Sequence, residues 1–341
     1  MRLQMTWRTV FRGLFAMFLL AGCAQQPTFL TDDMRKPIDR KLVEYPNGFV
    51  LKTVARGITA PTAIAFVNDE GEFKGSIIVA ESGAGNDRPR IYGWKADGTY
   101  FTVFPRRVQL PSFGILPQWS EFRGPIGGMV VSQGKIFITH RDSRGHGIVS
   151  SVGFDGSLTT LAAGLPAQGD YGLTDIIVHP TSGRLFFGMG SATNSGVVGL
   201  DNWQTGWVRH HPEFCDLPAT NLKLLGYKFF SHNPNAGLFG GDDNVGTGPF
   251  QPFGTSTLLR IRKAANDKPT SAIYSIAPSG GDLRIVANGI RLPRGLAFDE
   301  YANLFATDDG MELRGTRPVK DDPDSLLKII PNTWYGWPDF S

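Results

Sequence analysis

The chain has 341 residues, 41% of them hydrophobic and 19% charged, with 42 Gly and 23 Pro. That length supports a sizeable core, and so much Gly and Pro argues against an assembly of long helices. A formal charge of +3 and two cysteines exclude a disulfide framework and give little electrostatic pull toward nucleic acid.

The N-terminus reads as a processing signal. Arg2, Arg8 and Arg12 precede a short apolar run at residues 14–20, whereas a bilayer span needs about 20 apolar residues. The run leads into Leu20-Ala21-Gly22-Cys23, which resembles the lipobox of bacterial lipoproteins, where the Cys is acylated and becomes the new N-terminus. An ordinary secretory signal with a chance Cys is the alternative. Ala24 after the Cys, by the same resemblance, implies the outer membrane, facing the periplasm. Residues 1–22 hold three Arg and no acid, so the mature chain keeps 31 Lys+Arg against 31 Asp+Glu and is expected near neutrality. Cys215 is then the only thiol, and is read as a buried small hydrophobe rather than a nucleophile. Residues 23–46 are polar and are expected to form a tether that leads into a first edge strand.

From residue 47 onward a unit recurs: a turn, a small residue, an apolar strand, a gap and a second apolar strand. Pro61-Thr-Ala-Ile-Ala-Phe-Val is followed by Ser76-Ile-Ile-Val-Ala-Glu, and Pro125-Ile-Gly-Gly-Met-Val-Val by Lys135-Ile-Phe-Ile-Thr-His. Leu173-Thr-Asp-Ile-Ile-Val-His-Pro is followed by Arg184-Leu-Phe-Phe-Gly-Met, and Pro293-Arg-Gly-Leu-Ala-Phe-Asp by Asn303-Leu-Phe-Ala-Thr-Asp. The equivalent positions Ala63, Gly128, Asp175 and Gly295 are 65, 47 and 120 residues apart. Outer strands at residues 90–94 and 99–104, and at 148–154 and 158–161, flank Asp-Gly turns, a strong hairpin signal. Four strands per repeat predicts an all-β propeller.

The third interval is long enough for two blades, or for one blade plus an insertion. Residues 257–262, 272–276 and 282–287 are read as outer strands of a fifth unit. A loop-rich insertion at about residues 197–254 is the kind of segment that covers a site or a partner surface. After the fourth repeat come an Asp/Gly/Arg/Pro loop and an aromatic tail, with no closing strand expected.

Gly289-Ile-Arg-Leu-Pro-Arg-Gly-Leu-Ala-Phe, Thr307-Asp-Asp-Gly-Met-Glu-Leu-Arg-Gly-Thr-Arg-Pro and Trp334-Tyr-Gly-Trp-Pro-Asp-Phe resemble three landmarks of the glucose/sorbosone dehydrogenase family. Gly190-Ser-Ala-Thr-Asn-Ser-Gly resembles its sorbosone-dehydrogenase branch. The resemblance implies a six-bladed quinoprotein β-propeller, here missing its closing blade or blades. It also implies pyrroloquinoline quinone held by Ca²⁺, a sugar substrate and a periplasmic electron acceptor. It places Arg291 and Arg294 at the cofactor, whose carboxylates suit guanidinium forks. It places the main-chain carbonyls of Arg317 and Pro318 at Ca²⁺, a cation that prefers oxygen ligands. For Arg291 the plainer reading is a surface or blade-linking residue. For Arg314 and Arg317 it is a salt-bridged turn facing Asp321, Asp322 and Asp324.

The departures concern the chemistry. Leu292 replaces an Asn, and Arg294 a Gln. Tyr171 or Gly172 takes the position of the family's general-base His, and Ser191 that of its orienting Asp. A Tyr with an ordinary pKa near 10 is a poor base at neutral pH. Turnover is therefore a separate question from family resemblance, and a non-catalytic binding or scaffold lipoprotein is the second reading. A metal-dependent lactonase, using Glu81, Asp175 and Asp308, is the third. His140 and His146 are read as a solvated loop, His179 as structural, and His210, His211 and His232 lack metal spacing.

Overall fold

A computed structural model describes residues 26–82, 89–105, 107–110, 114–117, 122–234, 236, 242–256 and 260–340, with only the backbone for 107–110 and 114–117. Cys23 and the segment before it lie outside the described residues. The chain divides into two compact units, Met1–Thr59 and Ala60–Ser341. In the first, β1 (Thr28–Phe29) pairs antiparallel with β2 (Ala55–Arg56), and Pro37 bridges to Lys52.

Among the described residues the second unit is all-β apart from two short helices, with its strands arranged as four propeller blades. Blade I is β3 (Pro61–Phe66), β4 (Ile77–Glu81), β5 (Arg90–Trp94) and β6 (Tyr100–Phe104), paired in chain order. A hairpin of β7 (Arg107–Leu110) and β8 (Gly114–Pro117) follows. Blade II is β9 (Arg123–Ser132), β10 (Lys135–Arg141), β11 (Gly147–Gly153) and β12 (Leu158–Leu165). Gly98 and Gly156, in the two Asp-Gly turns, take φ of 84° and 81°, a conformation that suits Gly.

Blade III is split. β13 (Leu173–Val178) and β14 (Leu185–Met189) precede a long insertion. The insertion holds helices Leu200–Thr205 and Trp207–His210, and strands β15 (Leu222–Leu224), β16 (Phe229–His232), β17 (Asn244–Thr247) and β18 (Ile261–Lys263). Within it β15 pairs with β18, and β16 with β17. The chain then returns to blade III as β19 (Ala272–Ile276) and β20 (Arg284–Asn288), with Phe187 opposite Tyr274. Residues 272–276 and 282–287 are thus the outer half of the third blade, not a fifth unit. Of residues 257–262, 257–259 lie outside the described residues, and Ile261–Lys263 belongs to the insertion.

Blade IV is β21 (Pro293–Phe298), β22 (Leu304–Asp308) and β23 (Ser325–Ile329). The aromatic tail then adds β24 (Thr333–Trp334) parallel to β20, on the outer edge of the third blade.

Strand periodicity explains how the blades stack. Successive side chains point to opposite faces. Ile136 and Ile138 pack with Ile78, Ile91 and Val103 of blade I, while Phe137 between them packs with Phe187 and Tyr274 of blade III. Ile273 turns the other way, toward Leu296, Leu304 and Ile329 of blade IV. Each such side chain contributes about 1.5–3 kcal/mol by leaving water. At the two ends of the series, Ile64 and Phe66 on blade I and Leu326 on blade IV stay exposed, at 60%, 59% and 72%.

The inner strands approach closely. A Cβ on Gly128 would lie 2.6 Å from the Asp175 Cα, so blades II and III meet there backbone to backbone. Polar ties continue the line: Thr139 Oγ1 donates to the Thr174 carbonyl at 2.7 Å, and Thr174 Oγ1 to the Pro293 carbonyl. Asp175 Oδ2 accepts the Leu296 N–H at 3.0 Å.

Candidate functional site

Antiparallel pairing gathers the starts of the inner strands and the ends of their neighbours on one rim of the second unit. Glu81, Arg141, Gly172, Met189, Pro293 and Asp308 therefore share that rim. An axial cavity of about 530 Å³ opens among the inner strands, lined by residues including Thr62, Gly127, Thr174, Asp175 and Arg294.

Beside it the three landmarks and the Gly190–Gly196 loop converge on Asn194. Its main-chain carbonyl accepts Arg291 Nε and Trp337 Nε1, each at 3.1 Å. Its Oδ1 accepts Arg291 Nη2 at 2.9 Å and the Glu312 N–H at 2.8 Å. Its Nδ2 donates to the Glu312 carbonyl at 2.8 Å. Each polar atom of the buried amide is satisfied, as burial requires.

Arg291 is 2% exposed. Besides Asn194 it reaches the Asp309 carbonyl at 3.1 Å, Glu312 Oε1 at 2.9 Å and the Tyr171 hydroxyl, and its guanidinium lies 4.6 Å from the Tyr171 ring centroid. Tyr171 in turn donates to Glu312 Oε1 at 2.9 Å and accepts from Arg314 Nη2 at 2.8 Å. Arg314 also pairs with Asp170 at 2.9 Å, Asp201 at 2.5 Å and Glu312 at 2.6 Å. Burial opposes ionisation of Glu312, but hydrogen bonds from Arg314, Arg291 and Tyr171 outweigh it and bring its pKa down to about 2. Burial pushes the Tyr171 pKa up despite the two arginines. The phenol thus stays protonated and acts as a hydrogen-bonding post rather than a base.

The loop is held from below by Asp216. Its carboxylate accepts the Ala192 N–H and Thr193 Oγ1, both at 2.6 Å, and Thr270 Oγ1 at 2.9 Å. Burial raises its pKa to about 6. Burial likewise raises Asp308 to about 6, although its oxygens accept the Leu292 N–H at 2.7 Å and the Arg291 N–H at 3.2 Å.

The other expected residues fall as follows. Arg294 lines the axial cavity and pairs with Asp309 at 2.5 Å. The Arg317 carbonyl accepts Ser195 Oγ at 2.6 Å, and its guanidinium reaches Asp339 at 3.0 Å. Pro318 is exposed. The turn does not face Asp321, Asp322 and Asp324 as an ion-paired loop: Asp322 and Asp324 accept the Met311 and Gly310 N–H groups, and Asp321 pairs with Lys320.

His140 is not on a solvated loop. It is buried on β10, bonded through Nε2 to Ser150 Oγ at 2.8 Å and stacked on Phe122, and burial lowers its pKa to about 4. His146 pairs with Asp142 at 3.2 Å. His179 accepts two turn N–H groups and packs edge-on to Phe298. His210 ends the second short helix, His211 follows it and His232 lies on β16. Cys215 is buried beside Lys263, and burial raises its pKa to about 11. Glu81 bonds Tyr92 at 2.8 Å and Arg90 at 2.6 Å. Glu81, Asp175 and Asp308 thus sit on three blades, and among the described residues no group of three or more His, Cys, Asp or Glu could hold a metal. Among the described residues no helix is long and apolar enough to cross a membrane.

Sequence reading missed Asn194, Asp170, Glu312 and Asp216 as site residues. Asn194 and Glu312 lie inside motifs quoted above, and Asp170 immediately precedes Tyr171, but no local signal marks them as partners.

No protein-family model matches the chain, and no curated protein matches it by sequence. Among solved structures it is similar to an oxidoreductase described as a glucose dehydrogenase, from Thermus thermophilus, with 16% identity and a TM-score of 0.45 over 83% of this chain and 65% of that one. It is similar to the PQQ-bound aldose sugar dehydrogenase of Streptomyces coelicolor, with 15% identity and a TM-score of 0.45 over 82% and 63%. It is also similar to the holo PQQ domain of a Coprinopsis cinerea pyranose dehydrogenase, with 12% identity and a TM-score of 0.41 over 83% and 55%. The chain thus spans less than two thirds of each of these structures. The blade arrangement above rests on the strand pairing of this chain itself.

Proposed function

We propose that this chain is a quinoprotein-type sugar dehydrogenase propeller, oxidising a sugar hydroxyl or aldehyde with pyrroloquinoline quinone. One observation supports it: motifs that resemble that family, spread from residue 190 to residue 340, meet at Asn194. The axial cavity is of a size for a small ligand, and Arg294 at its edge suits a carboxylate. Bound there, the quinone would supply a two-electron acceptor. Arg294 is the residue to hold it, once its guanidinium is shared with Asp309. Arg291 fits less directly, since its donors already hold the Asn194 loop, and its part is to fix the wall of the site. Ca²⁺ would be held by the Arg317 and Pro318 carbonyls, the first of which already accepts Ser195 Oγ with one of its two lone pairs. Anchoring through Cys23 at the outer membrane, facing the periplasm and an electron acceptor there, is part of the same proposal and rests on the lipobox.

A non-catalytic binding propeller is the second reading, favoured by Tyr171, which is locked and protonated, and by Gly172, which carries no side chain. Reconstitution with pyrroloquinoline quinone and Ca²⁺ decides between them. Saturable quinone binding with aldose-dependent dye reduction is expected, and neither would be seen with a scaffold. Mass spectrometry of membrane fractions, reading diacylglyceryl addition at Cys23, tests the anchor.

A further inference from the structure

Arg141 ends β10, and Arg123 begins β9 directly opposite it. Like charges in facing positions of a sheet repel. Neither guanidinium makes an ion pair or hydrogen bond among the described residues. Glu121, two residues before Arg123, lies outside the described residues, and Asp142 and Asp170, which flank Arg141 and Gly172 in sequence, are engaged elsewhere. Asp142 accepts the Arg144 and His146 N–H groups at 2.8 and 2.9 Å and pairs with the His146 ring. Asp170 pairs with Arg314 and accepts Trp207 Nε1 at 2.8 Å.

Arg141 is also substantially enclosed, and burial lowers its pKa with no anion to offset the effect. A half-buried cation without a partner costs stability unless something compensates it. Its guanidinium lies across Gly172, with Nη2 2.7 Å from where a Cβ on that residue would stand. Gly172 is followed by Leu173 and Thr174, which line the axial cavity with Arg294. The fork thus lies against Gly172, one residue before the cavity lining begins, beside the position that the family resemblance gives to a base.

We propose that Arg141, with Arg123 facing it, binds the oxyanion of an acidic sugar derivative, a carboxylate or a phosphate, whose sugar ring occupies the axial cavity. The proposal takes from the sugar-dehydrogenase reading only that the axial cavity, in which the quinone would bind, also admits the sugar, and it does not require turnover. A planar fork meets a carboxylate or phosphate through two parallel hydrogen bonds, a geometry that an ammonium cannot match. Arg294, which lines the cavity, already shares its charge with Asp309, whereas Arg141 has no such partner among the described residues.

Calorimetric titration of the full chain with glucose, glucuronate, glucose 6-phosphate and pyrroloquinoline quinone tests this. Glucuronate or glucose 6-phosphate should bind at least about tenfold more tightly than glucose, and whichever does so names the oxyanion. Arg141→Gln should abolish that preference, and Arg141→Lys should restore part of it, with circular dichroism confirming that both variants are folded. Equal binding of glucose and both acidic sugars overturns the proposal, as does a preference that survives Arg141→Gln. A loss confined to pyrroloquinoline quinone overturns it too and makes Arg141 a cofactor contact. If the preference holds while quinone binding and dye reduction both fail, the dehydrogenase reading falls and this one stands.

Discussion

Arg141 and Gly172 share one space: the Arg141 guanidinium fills the volume that a side chain at 172 would enter, with Nη2 2.7 Å from the position of its Cβ. Arg141 thus lies beside Tyr171 and Gly172, the two residues between which the sequence resemblance leaves the general-base position.

Gly172→His should therefore lower the unfolding midpoint, because the ring displaces the end of Arg141. Adding Arg141→Ala should recover part of the loss. Residues in contact typically show coupling of about 0.5–3 kcal/mol, and a double-mutant cycle in urea measures it. Strict additivity would mean that the two residues do not compete. Dye reduction in the double variant further reports whether an imidazole alone restores turnover.

Asn194→Ala should destabilise the unit by about 2–4 kcal/mol, since it strips an acceptor from Arg291 and Glu312 and a donor from the Glu312 carbonyl. Urea denaturation reads the effect. A loss below about 1 kcal/mol would show that the Arg314–Arg317 loop does not depend on Asn194.

Arg291→Lys separates two roles. Lys keeps the charge but cannot reach Asn194, Asp309, Tyr171 and Glu312 together. A loss of about 3 kcal/mol or more is expected, as for a broken buried ion pair. Quinone affinity measured on the folded fraction should change little. A large affinity loss with unchanged stability would instead make Arg291 a direct cofactor contact.

These partners also mark what the sequence could disclose. Blades I and II were legible because each is built from consecutive strands with Asp-Gly turns, a local pattern. Blade III was not, because β14 finds β19 only beyond the insertion, and no period survives such a gap. The aromatic tail was recognised as a landmark, yet nothing local says that β24 adds to β20. Arg291 was picked out by its motif, while Asn194 was not. Its contacts come from residues 97 to 143 positions away, and a polar hub of that reach has no signature in a single sequence. Arg141 was passed over because an unpaired Arg and a solvated one look alike until the acids around them are placed.

Cys215 should resist a maleimide in the native state and react on unfolding, because it is buried and its pKa stands near 11. Mass spectrometry after timed labelling checks this. Rapid native labelling would mean that the insertion opens readily around Phe250 and Lys263.

The buried carboxylates predict how stability varies with pH. Asp216 and Asp308 have folded pKa values near 6, raised by burial above an unfolded value near 3.8. The unfolded chain therefore gives up these protons first. The stability that the two groups confer is fully present below about pH 4 and is lost as pH rises through 6. Glu312 acts in the opposite sense. Its folded pKa, near 2, lies below an unfolded value of 4.5, so its contribution is present above pH 4.5 and is lost as pH falls toward 2. Urea midpoints should pass through a maximum close to pH 4 to 4.5 as far as these three groups govern them. Asp216→Asn should flatten the decline between pH 4 and 6, and Glu312→Gln the decline below 4.5. An Asp216→Asn variant whose midpoint still falls as steeply as wild type from pH 4 to 6 would show that Asp216 ionises in the fold as easily as in the unfolded chain, and that the hydrogen bonds from Ala192, Thr193 and Thr270 fully offset its burial.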